Sequence, residues 1–106
     1  MNLDERLTEE IVRRIRSVTT PRRILIFGSA ASGALTPDSD IDVLVIEDRV
    51  ADARSERLRI RQSLRGLGWP FDIVVMTTER FEEVKGVVGT IAYPASRHGE
   101  IVYEVA

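Results

Sequence analysis

The chain contains no cysteine among its 106 residues. That absence excludes disulfides, a thiol nucleophile and thiolate metal sites, and it fits a reducing compartment. Histidine and lysine are nearly absent too: His98 and Lys85 are the only ones, and every other basic residue is arginine. No apolar run approaches the roughly 20 residues of a membrane span. The opening "MNLDERLTEE" is charged throughout, unlike a signal peptide, so the cytoplasm is the expected location. A net charge of -2 gives no electrostatic indication of nucleic-acid binding. What is present is a folded-domain composition, 43% hydrophobic and 30% charged. The length suits one domain, residues 1–106, with one modest core.

Hydrophobic spacing gives the element order. Leu3, Leu7, Ile11, Ile15 and Val18 form a helical stripe, with Glu9–Arg13 and Glu10–Arg14 spaced for ion pairs. Pro21 ends that helix. Arg23 to Phe27 reads as a buried strand closed by Gly28, and Ala30 to Ala34 as a short helix or turn. "TPDS" is turn chemistry, which also accounts for Asp38. Ile41 to Ile46 is a second strand; Ala53, Ile60, Leu64 and Leu67 are a helical stripe closed by Gly66 and Gly68. Phe71 to Met76 is a third strand, followed by a helix capped by Thr77 or Thr78. A short helix is expected over about Gly89 to Arg97, then a last strand over Ile101 to Tyr103. The sum is a small α/β or α+β domain, a mixed sheet flanked by helices.

The chemistry concentrates in "IFGSAASGALTPDSDIDVLVIED". Strand alternation places Asp40 and Asp42 on one side, with Ile41 and Val43 directed into the core. Two carboxylates held so close resist joint ionisation, and a bound cation removes that cost. With no Cys and one isolated His, hard oxygen ligands point to Mg²⁺ or Mn²⁺ over Zn²⁺. Mg²⁺ completes its shell with phosphate oxygens and water, which implies a phosphate-bearing substrate. Gly28 permits close approach, and the Ser29 hydroxyl with backbone N–H groups can hold a phosphate. Asp72, at the start of a strand expected beside that of Asp42, supplies a third carboxylate. This set suits two-metal phosphoryl chemistry.

"GSAASGALTPDSDIDVLV" and "FDIVVM" resemble the signature and third-aspartate strand of the DNA polymerase beta-like nucleotidyltransferase superfamily. The length and the ending "SRHGEIVYE" resemble its minimal nucleotidyltransferase (MNT) domains, often encoded with a HEPN-domain partner. The resemblance implies the polymerase beta-like nucleotidyltransferase fold. It implies Gly28 and Ser29 on the nucleotide phosphates, Asp40 and Asp42 on both metals, and Asp72 on the catalytic metal and the acceptor hydroxyl. It implies transfer of AMP from ATP to a hydroxyl, here on a HEPN-type toxin partner that the chain would neutralise as antitoxin. One position departs from the pattern: Ser32 stands where many minimal members have Arg. Ser lacks the fixed charge and bidentate fork, so the alternative is a binding module that masks the toxin without chemistry.

Other residues have simpler expected roles. Arg54, Arg57, Arg61 and Arg65 gather on one helix face, either solvated or as a docking surface. His98 beside Gly99 suits a helix C-terminus. Trp69 is expected to anchor a turn, and Tyr93 and Tyr103 to pack.

Overall fold

A computed structural model describes residues 4–105; Leu3 of the first stripe lies outside them. Helix α1 spans Glu5–Val18, its start capped by the Asp4 carboxylate, which accepts from the Leu7 N–H. Its apolar stripe buries Ile11 and Ile15. Glu10 takes both expected arginines, pairing with Arg14 at 2.9 Å and also with Arg13, so Arg13 bonds three residues back rather than four. These two guanidiniums lower the Glu10 carboxyl to about 2. The pair is exposed, so it adds little to stability.

Strand β1 is Arg23–Phe27, the interval the sequence indicates. The four-residue helix α2, Ser29–Ser32, follows. A turn over Thr36–Ser39, closed by Ser39 N–H to the Thr36 carbonyl at 3.0 Å, leads into β2, Ile41–Glu47. Asp38 sits exposed in that turn. Helix α3 is Ala53–Ser63 and is capped by Asp52. Only part of its expected stripe is realised. Ile60 and Leu64 are buried, Leu67 packs from the following turn, and Ala53 is exposed. Trp69 packs in the same turn region, as expected.

Strand β3, Phe71–Thr77, leads directly into α4, Thr78–Val84, with the Thr77 hydroxyl accepting from Arg80 N–H. Helix α5 is Ala92–His98, starting three residues later than Gly89. Gly89 has φ +98 and turns the preceding loop, so it does not begin the helix. His98 occupies the last helical turn before Gly99, as anticipated. Strand β4, Glu100–Glu104, completes the set.

The sheet order is β3-β2-β1-β4. β1 runs antiparallel to both neighbours, while β2 and β3 are parallel and linked through α3. It is therefore a mixed sheet with helices on both faces. Period-two alternation sorts the core. Ile24, Ile26, Ile41, Val43, Val45 and Ile73 pack toward α1 and α3. Leu25, Leu44 and Ile46 pack toward Phe81 and Val84 of α4 and Ala92 and Ala95 of α5. β2 is thus buried on both faces beyond its first residues. Nothing in its interior is free to bind a ligand, and chemistry is confined to its ends.

Candidate functional site

The parallel register aligns Ile41 with Phe71 and Asp42 with Asp72. Residues opposite each other in register point to the same face, so these two carboxylates emerge side by side at one edge of the buried sheet. They belong to the row that continues through Leu44 and Ile46, and through Val74 and Met76, against α4 and α5. On its other side, Asp42 stands opposite Phe27, the last residue of β1. Asp40 lies just before β2 begins at Ile41. The alternation argument therefore holds strictly for Asp42 alone, and Asp40 is carried by the turn. It is exposed, like Asp72, whereas Asp42 is half-buried.

Asp42 feels all of its neighbours. Burial pushes its carboxyl up from the ordinary carboxylate value, the charges of Asp72 and Asp40 push it further, and a hydrogen bond with Asp72 adds to the effect. The cause is physical: adjacent anions at a desolvated edge favour holding one proton between them. The structure thus brings together Asp40, Asp42 and Asp72. Among the described residues, however, no three acidic or histidine side chains already converge on one point fit for an ion. Asp42 and Asp72 face each other through a shared hydrogen bond instead. Their backbones are held side by side by the strand register. The donor set is hard oxygen throughout, which fits Mg²⁺ or Mn²⁺.

Gly28 is placed against this group. It has φ +69 and ψ -146, a region close to glycine-only backbone, and it starts α2. A Cβ built there would lie 2.2 Å from Asp42 Oδ2. The space that glycine leaves open is filled by the chain's own carboxylate. Ser29 is half-buried at the start of α2, whose turn closes through Ala31 and Ser32 N–H groups on the Gly28 carbonyl, both at 3.2 Å. Ser32 is exposed, and its hydroxyl donates to the Ser29 carbonyl at 3.3 Å. It reaches nothing beyond its own helical turn in this arrangement. A cleft of about 620 Å³ lies against α2, lined by Ala30 and Ala31, by Glu5 and Glu9 of α1, and by Glu100 and Ile101 of β4. None of the three aspartates lines it; Asp40 and Asp72 are exposed and Asp42 is half-buried between them.

The remaining candidates have structural surroundings. Arg54, Arg57, Arg61 and Arg65 are all exposed. Arg97 stacks on Tyr93 at 4.9 Å and Arg16 on Tyr103 at 4.6 Å, which assigns both tyrosines to packing. Sequence reading missed a second acidic group, Glu47 and Glu56, at the far end of β2; both are buried.

Solved structures share this architecture. A toxin–antitoxin complex with AMP-PNP aligns at TM-score 0.68 and 22% identity, over 92% of this chain and 73% of that one. The MntA–HpeT toxin–antitoxin complex with two aspartates changed to glutamate aligns at 0.69 and 19%, over 92% and 73%. A tri-AMPylated Shewanella oneidensis HEPN toxin in complex with MNT antitoxin aligns at 0.64 and 17%, over 97% and 74%. At these identities the likeness is one of fold. Among curated proteins, no sequence matches. The family model of the nucleotidyltransferase domain covers residues 6–95, a span that takes in Gly28, Ser29 and all three aspartates, and this chain belongs to that family.

Proposed function

We propose that the chain transfers a nucleoside monophosphate, AMP from ATP, to a hydroxyl on a HEPN-type partner protein and so acts as the antitoxin of a pair. The observation that carries this reading is the Asp42–Asp72 register pair with the Gly28 backbone against Asp42. The neighbours support the substrate and the partner, since they include an AMP-PNP complex and an AMPylated HEPN toxin bound to an MNT antitoxin.

In this reading Gly28 and Ser29 hold the triphosphate at the start of α2, where backbone N–H groups and the hydroxyl meet phosphate oxygens. Asp40, Asp42 and Asp72 would hold divalent cations, which when bound neutralise triphosphate charge and lower the pKa of the acceptor hydroxyl. Asp72, the most exposed of the strand-borne pair, takes the acceptor's proton. The acceptor oxygen bonds to the α-phosphorus, the bond to the β-phosphate bridge breaks, and pyrophosphate leaves. Asp40 and Asp72 are exposed, so in this reading a partner surface supplies the walls that exclude water.

Two predictions arise here. Mg²⁺ alone should bind weakly and bind more tightly with ATP present, because the triphosphate supplies missing ligands. Calorimetry in which ATP binds equally well with chelator present contradicts that. Reversing charge at Arg54, Arg57 and Arg61 should slow association with the partner, by about tenfold or more at low salt and far less at high salt. Stopped-flow association rates that do not change with these substitutions rule the arginine face out as a steering surface.

The masking alternative is favoured by one observation, Ser32 in place of an arginine. It predicts neutralisation of the partner with no added nucleotide mass, and mass spectrometry distinguishes the two.

A further inference from the structure

Glu47 occupies a core position. It continues the row Ile41, Val43, Val45 that packs between α1 and α3, and it is only 5% exposed. One oxygen, Oε1, meets the Thr19 hydroxyl just past α1. The other, Oε2, is buried with no hydrogen-bond partner. The same Thr19 hydroxyl lies 2.7 Å from Oε2 of Glu56, itself 7% exposed in the first turns of α3. A hydroxyl has one hydrogen to donate, so it can satisfy only one of the two carboxylates.

The nearby cations do not reach the unpartnered oxygen: Arg49 and Arg59 both line the depression beside Glu47, but neither pairs with it. Arg59 pairs with Glu56 through Oε1, leaving Oε2 to face Thr19. Arg22 is engaged by Asp48 at 2.9 Å, and Asp48 also accepts from Thr78 at 2.8 Å. An anion buried without a countercharge is costly, and native structures compensate it with a partner or a metal. Thr19, Glu47 and Glu56 are among the residues around a depression of about 470 Å³ at the end of β2, with Glu47 Oε2 buried beneath its surface.

We propose that Glu47, Glu56 and Thr19 form a binding site for a hard divalent cation, separate from the Asp40/Asp42/Asp72 group. The donors are two carboxylates and a hydroxyl, all hard oxygen. In an octahedral Mg²⁺ shell, adjacent ligand oxygens stand about 3 Å apart, since each is about 2.1 Å from the ion. The Thr19–Glu56 separation of 2.7 Å needs only a slight opening to match that. The cation replaces the missing hydrogen and reaches the unpartnered Glu47 oxygen. Because the donors come from the end of α1, the end of β2 and the start of α3, the ion would clamp three elements together. The site lies five residues along β2 from Asp42, roughly 17 Å at strand rise, so the two ions would not share ligands.

The test uses Mn²⁺ as a paramagnetic probe on the full chain with Asp40, Asp42 and Asp72 all changed to Asn. Mn²⁺ titration should selectively broaden the backbone amide NMR signals of Thr19, Glu47, Asp48 and Glu56, and excess Mg²⁺ should reverse it. Adding Glu47→Gln should raise the Mn²⁺ concentration needed by at least about tenfold. Glu56→Gln gives the same readout with a residue nearer the surface, in case Glu47→Gln perturbs folding. No selective broadening in the Asn-substituted chain overturns the proposal. So does broadening that neither Gln substitution weakens, which would mean that other groups hold the ion.

Discussion

Replacing Gly28 with alanine should destabilise the chain by about 1–3 kcal/mol and reduce transfer by about 10²-fold or more. Two independent causes act at one position. The backbone stands at φ +69 and ψ -146, which an L-residue adopts only with strain. The new methyl group would also meet Asp42 Oδ2 at 2.2 Å, far inside van der Waals contact, so the carboxylate must swing away. A misplaced carboxylate in phosphoryl chemistry costs far more than its share of stability. Gly66 separates the two causes. Its φ is +88 and nothing lies within 4 Å of an added Cβ, so Gly66→Ala carries strain without displacement. It should lose stability by about 1–2 kcal/mol and keep its transfer rate. Urea melts and turnover of both variants check this; Gly28→Ala with unchanged turnover would show that Asp42 need not hold its position.

Asp42→Asn should abolish transfer, by at least about 10²–10³-fold, while making the metal-free protein more stable at neutral pH. Asparagine keeps the size and hydrogen bonding and removes one charge from the crowded edge. The pH dependence has a definite sign. Burial, then Asp72 and Asp40, raise the folded-state pKa of Asp42 above its unfolded value. The native state therefore holds a proton that the unfolded state has lost, and the wild type gives up stability as pH rises through that interval. Asparagine cannot ionise, so its advantage over aspartate is full above the raised pKa and vanishes at low pH. Melting curves in chelator from pH 3 to 8 check the trend. An advantage that grows as pH falls would contradict the placement of Asp42 beside the other two carboxylates.

Much of this architecture is legible because strands buried on both faces leave continuous apolar runs. "RILIF" and "IDVLVIE" are such runs, whereas "FDIVV" lies in the edge strand β3, of which only Ile73 is buried. The D-x-D spacing with Gly28-Ser29 identifies the group of residues that the fold gathers at one edge. The Asp72 strand was expected beside that of Asp42, as the sheet has it, but the rest of the strand order and the Asp42–Asp72 register depend on long-range pairing that spacing does not show. The role of Gly28 was only half visible: close approach was expected of a ligand, and the fold uses it for Asp42. Ala53 misled because a small apolar residue at helical spacing need not be buried. Glu47 and Glu56 were missed because a carboxylate's burial depends on a distant partner, here Thr19, 28 and 37 residues away.

The central claim is that this chain modifies its partner covalently. The most direct measurement is intact-protein mass spectrometry of a HEPN-domain protein that binds this chain, after incubation with it, ATP and Mg²⁺. The partner should gain the mass of one or more AMP groups, located by fragmentation to a hydroxyl side chain. The gain should disappear with chelator or with Asp42→Asn. A partner that is neutralised under the same conditions yet carries no added nucleotide mass would contradict the account and leave masking by contact as the function.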